Sequence, residues 1–163
     1  MSHSKTIKNK IHSWDSLSLL RKKWKEDGFK TVFTNGCFDI IHLGHIDYLS
    51  KAADLGDRFI VAINSDKSTS KLKGANRPLQ DEQSRMMIMA SFAFVDAVVL
   101  FDEETPYNLI KEILPDIQVK GGDYSSDTIV GADITKNNGG KVVIIPFLKG
   151  YSTSAIEEKI KKT

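Results

Sequence analysis

A chain of 163 residues, 40% hydrophobic and 27% charged, can bury a sizeable core in one domain, and this excludes a disordered chain, a collagen-like fibre and a disulfide scaffold. The formal net charge of +2 hides an asymmetry: residues 1–30 carry eight basic and three acidic side chains, whereas residues 31–163 carry fifteen and eighteen. The basic start reads as a solvated, partly mobile arm with a Lys-rich helix face rather than a nucleic-acid arm. The arm carries Trp14 and Trp24, whose spacing on a helix suggests packing.

Cys37 is the sole cysteine, so no internal disulfide can form. The first residues lack the apolar core of a secretory signal. The longest apolar run, around Val142–Leu148, falls far short of the roughly 20 residues a membrane span needs. The expectation is a soluble cytoplasmic protein with neither nucleic acid nor membrane as partner.

In chain order, a helix over 14–27 ends at Gly28, and the strand Thr31–Thr34 follows. A helix over 44–55 ends before Gly56, and a second strand spans Phe59–Ile63. Residues Asn64–Gln80 then form a seventeen-residue stretch of Ser, Lys, Gly, Asn and Pro that reads as a long loop, a length usually tied to function or mobility. Asp81 is placed to cap a helix over 81–93, whose Met86, Met87 and Met89 read as core filler beside Ile88 and Phe92. The strand Ala97–Leu100 precedes a helix over 105–113, with Thr105 as N-cap and Pro106 in the first turn. The strands Ile117–Val119 and Lys141–Ile145 flank a helix over 125–137, and a helix over 153–161 closes the chain.

The strands are nearly continuous apolar runs, as expected of a parallel sheet covered on both faces. The alternation predicts an α/β, Rossmann-like doubly wound fold with a five-stranded parallel sheet. An N-terminal arm and helix over 1–30 would precede a single domain over 31–163. Ligands of such folds sit at the carboxyl ends of the strands, the edge from which the long loop departs.

The first long strand runs into Thr34-Asn35-Gly36-Cys37-Phe38-Asp39-Ile40-Ile41-His42-Leu43-Gly44-His45. Neither a GxGxxG turn nor a GxxxxGK[ST] loop follows it, which argues against a dinucleotide-binding turn and a P-loop hydrolase. His-x-Gly-His stands at the helix start instead. Histidines three apart can aim both rings into one volume, toward which the unpaired N–H groups and the helix dipole also point. Gly44 leaves room for close approach, and Gly36 lets the strand end turn tightly. Such a pocket suits a polyphosphate whose charge grows during displacement at phosphorus. No third ligand completes a zinc motif around the pair, and His3 and His12 read as solvated residues of the arm.

Thr34–His45 resembles the signature of the HIGH-type nucleotidyltransferases. Thr31 to Ile160, roughly four-fifths of the chain, is similar to the adenylyltransferase domain of the bifunctional heptose 7-phosphate kinase/heptose 1-phosphate adenylyltransferases. The matching segments are Phe33–Asp39, Asn64-Ser65-Asp66, Leu72-Lys73-Gly74 with Arg77-Pro78, Val119-Lys120-Gly121-Gly122-Asp123-Tyr124, and Gly150-Tyr151-Ser152-Thr153-Ser154.

The resemblance implies adenylyl transfer from ATP to a sugar 1-phosphate, with Mg²⁺ arriving on the ATP and no dedicated protein metal site. It implies that His45, His42 and Lys73 stabilise the reacting phosphates and that Lys71 and Arg77 bind phosphate. Thr34, Asn35, Gly36, Cys37, Phe38, Asp39 and Gly44 would shape the nucleotide site. Lys120, Gly122 and Asp123 would approach base or sugar, although a plain turn explains that segment equally well. Ser152, Thr153 and Ser154 would cap the last helix and contact phosphate oxygens. Arg85 is as well explained by an ion pair holding the loop as by ligand contact.

The lead-in Phe147-Leu148-Lys149-Gly150-Tyr151 lacks the arginine that many cytidylyltransferases of the superfamily carry there, which favours the heptose branch over CTP and glycerol 3-phosphate. A non-catalytic nucleotide-binding protein is the more distant alternative. No sugar kinase precedes the domain, so the expectation is a kinase on a separate chain, and family analogy adds a homodimer.

Overall fold

The computed structural model describes residues 2–122 and 128–163. Six parallel strands, β1 (Ile11–His12), β2 (Thr31–Gly36), β3 (Arg58–Asn64), β4 (Ala97–Phe101), β5 (Ile117–Gly121) and β6 (Lys141–Ile145), form one sheet in the order β1-β4-β3-β2-β5-β6. The order reverses between β2 and β5, and the crevice above that switch point is where a doubly wound sheet receives its ligand.

The sheet has one strand more than the expected five. The extra strand, β1, pairs Ile11 and His12 with Val98 and Val99 of β4. Two residues are too few to show a periodic signal, so the sequence pattern could not reveal it. The segment before it is not a loose arm. Helix α1 (His3–Lys8) leads into β1, Ile7 and Ile11 pack on the core, and Lys10 donates to the Phe92 carbonyl at 2.9 Å.

Side chains alternate across the strands, giving two cores. Val32, Phe59, Val61, Ile63, Val98, Ile117 and Val119 face α3 (Leu43–Ala53) and α5 (Glu82–Ser91), with Leu49, Met86 and Met89 filling the space between. On the other face Phe33, Ile60, Ala62, Val99 and Phe101 meet α2 (Trp14–Glu26) and α6 (Tyr107–Ile113) through Leu17, Trp24, Leu109 and Ile110. Both tryptophans pack as their spacing suggested, and Trp14 also donates to the Leu100 carbonyl at 2.8 Å.

Asp81 caps α5 as expected, accepting from the Ser84 N–H at 2.7 Å. Helix α6 begins one residue past the predicted proline, with Pro106 at the N-cap. Helix α7 spans Ala132–Asn137, and the start of the predicted 125–137 helix lies outside the described residues.

The expected long loop is in part a helix, α4 (Asp66–Lys73), capped by Ser65. Its buried side chains are Ser68 and Thr69, while Leu72 is exposed. A helix whose inner face is hydroxyl rather than apolar carries no hydrophobic stripe, which is why periodicity missed it. Helix α8 (Thr153–Lys161) ends the chain with no fully buried residue. Among the described residues, no helix is long and apolar enough to cross a membrane.

Candidate active site

A cavity of about 560 Å³ opens at the carboxyl edge of the sheet. Of the residues singled out from the sequence, Asn35, Gly36, Cys37, Phe38, His45, Lys73 and Lys120 line it. His42 stands beside His45, with ring centroids 4.0 Å apart. The His42 backbone is extended and forms the N-cap of α3, but no side chain caps that helix. Its first N–H groups therefore stay available to an anion.

Phe38 sets one edge of the His45 ring in a T-shaped contact at 5.7 Å. The Nδ1 atoms of both histidines are buried with no hydrogen-bond partner among the described residues. Two polar rings have thus been carried into the protein with hydrogen-bonding capacity uncommitted, and a phosphate ligand would use it.

Burial, then the neighbouring His42 and Lys73, lower the His45 pKa to about 4; burial also lowers that of His42. His45 is therefore neutral at pH 7 and offers an N–H without a positive charge. An imidazole NMR titration is expected to place His45 near pH 4 in the free protein and higher with ATP, because a triphosphate favours the charged ring. A midpoint at the ordinary value of about 6.5, unmoved by ATP, would contradict the assignment. Because the folded-state pKa is depressed, this site's contribution to stability is present above about pH 6.5 and is lost as pH falls toward 4.

Glycines allow two close approaches. A Cβ on Gly44 would come within 3.0 Å of the His42 ring and 3.3 Å of the Tyr151 Cβ, so Gly44 lets the lead-in to α8 pack directly on the histidine turn. A Cβ on Gly36 would meet the Phe38 ring at 3.0 Å.

Ser152 caps α8 by accepting from the Ala155 N–H at 3.1 Å, and Thr153 and Ser154 form its first turn. These three do not line the cavity. Gly122 has φ +121 just past β5 and does not line it either; Asp123 lies outside the described residues. Thr34 is fully buried, its hydroxyl hydrogen-bonded with Tyr48 and donating to the Val119 carbonyl at 3.1 Å. Its side chain thus anchors α3 to the strands from below the site. Burial pushes the Tyr48 phenol up to about 12.

The remaining cations divide. Lys73 projects into the cavity from the end of α4, whereas Lys71, two residues earlier and so on a different side of the helix, pairs at 3.8 Å with Glu104. Arg77 lies outside the cavity lining: one nitrogen meets Asp39 at 2.7 Å, and another contacts Glu157 of α8. Asp39 also accepts from the Leu79 and Gln80 N–H groups, both at 2.9 Å. Burial alone would raise the Asp39 pKa, but those N–H groups and Arg77 together hold it below the ordinary carboxylate value.

Asp39 therefore ties the turn between β2 and α3 to residues 77–80, and Arg77 extends the tie to α8. Asp39→Ala would leave a largely buried guanidinium and two N–H groups without their acceptor. The expected loss is about 1–3 kcal/mol of unfolding free energy, read by urea denaturation, because Arg77 keeps its contact with Glu157. A loss under about 1 kcal/mol would show the network to be incidental.

Arg85 is fully buried and holds the strand ends from beneath, donating to the carbonyls of Cys37, Asn64 and Gln80 and pairing with Asp66. Of its two readings from sequence, this geometry is the loop-holding one. Sequence reasoning passed over Glu157, which no motif marks. It also passed over Gln118, although a lone amide within the apolar run Ile117-Gln118-Val119 was a usable signal.

Where a P-loop or a dinucleotide turn would hold phosphate, this sheet presents two histidines at the start of α3, a helix without a side-chain cap. The chain belongs to the cytidylyltransferase-like family, which it matches over residues 33–159. It is 54% identical over 157 residues to a protein of Campylobacter jejuni subsp. doylei named bifunctional protein HldE, covering 96% of this chain and 32% of that protein. It is 48% identical over 160 residues to the bifunctional protein HldE of Wolinella succinogenes, covering 98% and 33%. The chain thus spans about a third of the length of these curated relatives.

Among solved structures, a lipopolysaccharide core biosynthesis protein from Thermoplasma volcanium matches with TM-score 0.58 and 31% identity, over 77% of this chain and all of that one. A pantoate-beta-alanine ligase from Francisella tularensis, at TM-score 0.59 and 18% identity over 93% of this chain and 76% of its own, shares the fold.

Proposed function

We propose that this domain transfers the AMP moiety of ATP to a sugar 1-phosphate, D-glycero-D-manno-heptose 1-phosphate, giving ADP-heptose and pyrophosphate for surface-glycan or lipopolysaccharide precursor synthesis. The pair of neutral, uncommitted histidines beside Lys73 carries the chemical reading. Identity near one half to the HldE proteins over almost the whole chain, with the Thermoplasma likeness, supports the acceptor.

An oxygen of the sugar phosphate attacks the α-phosphorus of ATP. A new P–O bond forms as the bond to the β-phosphate bridging oxygen breaks, and pyrophosphate leaves with that electron pair. The nucleophile is already an anion near neutral pH, so no strong general base is needed. The work left to the protein is positioning and charge stabilisation. His45 and His42 donate to phosphoryl oxygens, the start of α3 adds its free N–H groups, and Lys73 balances the leaving pyrophosphate. Magnesium enters as part of the MgATP substrate and shields its triphosphate.

The test offers ATP and CTP together with heptose 1-phosphate or glycerol 3-phosphate and identifies the product by mass. ADP-heptose is the expected product. A CDP product would overturn the choice of nucleotide, and no product from any pair would overturn the reading.

A further inference from the structure

Helix α4 meets the sheet through polar side chains: Asn64, Ser65, Ser68 and Thr69 are each 3% exposed or less. A helix held by apolar contacts can roll at small cost, because burial of apolar surface has no direction. One held by buried hydrogen bonds keeps a single rotation, since a donor or acceptor that loses its partner there is left unsatisfied. The hydroxyl face thus fixes how α4 is turned.

Ser68 is the centre of these bonds. Its hydroxyl donates to the Glu103 carbonyl at 2.7 Å and accepts from Asn64 Nδ2 at 2.9 Å. A hydroxyl has one proton, so with that proton on the carbonyl Asn64 must present its NH₂ group. The Asn64 Oδ1 is then left to accept from the Cys37 thiol, 3.9 Å away. Donors and acceptors run in one sense from the turn after β2, through the end of β3 and α4, to the loop after β4. Thr69 adds a bond to the Asn64 carbonyl at 3.4 Å, and Ser65 accepts from the Ser68 N–H at 3.1 Å. The exposed Lys71–Glu104 pair also joins α4 to the loop after β4, but a solvated pair at 3.8 Å contributes little.

What α4 carries is Lys73, one turn past Thr69 and in the cavity lining. Burial, then His42 and then the Lys73 charge lower the His45 pKa, so the ammonium lies within electrostatic reach of that ring. Glu104 and Thr105, which follow the carbonyl that Ser68 holds, line the same cavity. Rolling α4 by one residue, about 100°, would turn Lys73 away from it.

Resting on the adenylyl-transfer reading, we propose that Ser68 is a positioning residue that acts through Lys73. Its buried hydroxyl fixes the rotation of α4 and joins the helix to the loop after β4, so the ammonium stands beside His45 before ATP arrives.

The test is a double-mutant cycle of Ser68→Ala and Lys73→Met, read as kcat/KM for ATP and as MgATP affinity by calorimetry. Ser68→Ala should lower kcat/KM about tenfold when Lys73 is present and less than about twofold when Lys73 is already methionine. MgATP affinity should show the same dependence on Lys73. Ser68→Cys keeps the size and a weak donor and should recover part of the loss; it replaces alanine in the cycle if Ser68→Ala does not fold. Equal losses in both backgrounds would overturn the proposal, because Ser68 would then act on the fold and not on Lys73.

A second measurement needs no variant. Amide hydrogen exchange in α4 should already be slow in the free wild type. Exchange that becomes slow only with a non-hydrolysable ATP analogue bound would overturn the proposal. Coupling of Ser68 to Lys73 in MgATP affinity, with no nucleotide sugar formed, would contradict the adenylyl-transfer reading and leave the role of Ser68 standing. ADP-heptose formed with independent losses would do the reverse.

Discussion

His45→Ala is expected to lower kcat by about 10²- to 10³-fold while weakening ATP binding by less than about tenfold, the signature of a donor that acts mainly in the transition state. His45 sits in the cavity against Phe38 and His42, with a pKa held down to about 4 by burial, then by the neighbouring His42 and Lys73. At neutral pH it is a pre-placed neutral N–H, so its work is to meet charge as it develops and not to pull on the ground state. His45→Gln retains an N–H donor without an ionisable ring and should recover part of the lost rate. If catalysis instead needed an imidazolium, His45→Gln would be as inactive as the alanine variant and wild-type activity would climb below pH 6. Steady-state kinetics of both variants from pH 5 to 8 decides between these outcomes. Equal losses in kcat and in ATP affinity would sink the transition-state role.

Arg85→Met is expected to be the most damaging change away from the cavity. The Arg85 guanidinium, wholly buried, joins the carbonyls of Cys37, Asn64 and Gln80 and the Asp66 carboxylate. These acceptors belong to the ends of β2 and β3, the start of α4 and the lead-in to α5, so one planar fork fixes four chain segments beneath the site. Methionine fills part of the volume but leaves several acceptors without a donor. The expected loss is about 3–5 kcal/mol, measured as a lower urea midpoint. Arg85→Lys should recover little, because a point-charge ammonium cannot reach several acceptors in the guanidinium plane. A midpoint within experimental error of wild type would show the fork to be dispensable.

The parts of this molecule that could be read from its sequence are those where local chemistry repeats. Five strands were legible as apolar runs, the Asp81 cap as a side chain before a helix, and the histidine turn as a motif with a physical reason for its spacing. What escaped reading depends on partners distant in sequence. β1 exists because Ile11 and His12 meet Val98 and Val99, which no local pattern announces. α4 hides because its inner face is built from Ser68 and Thr69. Arg77 read as a phosphate ligand through the family resemblance; its carboxylate partners Asp39 and Glu157, 38 and 80 positions away in number, are invisible to local pattern. Lys120 was visible within a motif, but the side of the sheet it faces follows only from the register of β5 against β2.

The central claim is that an acceptor phosphate attacks the α-phosphorus of ATP, and isotopic labelling tests it most directly. Heptose 1-phosphate carrying ¹⁸O at its three non-bridging phosphate oxygens is incubated with MgATP and the wild-type protein, and both products are analysed by mass spectrometry. The account predicts ADP-heptose that retains all three labels, one of them now bridging the two phosphorus atoms, together with unlabelled pyrophosphate. Label in pyrophosphate, or no nucleotide sugar at all, would contradict it.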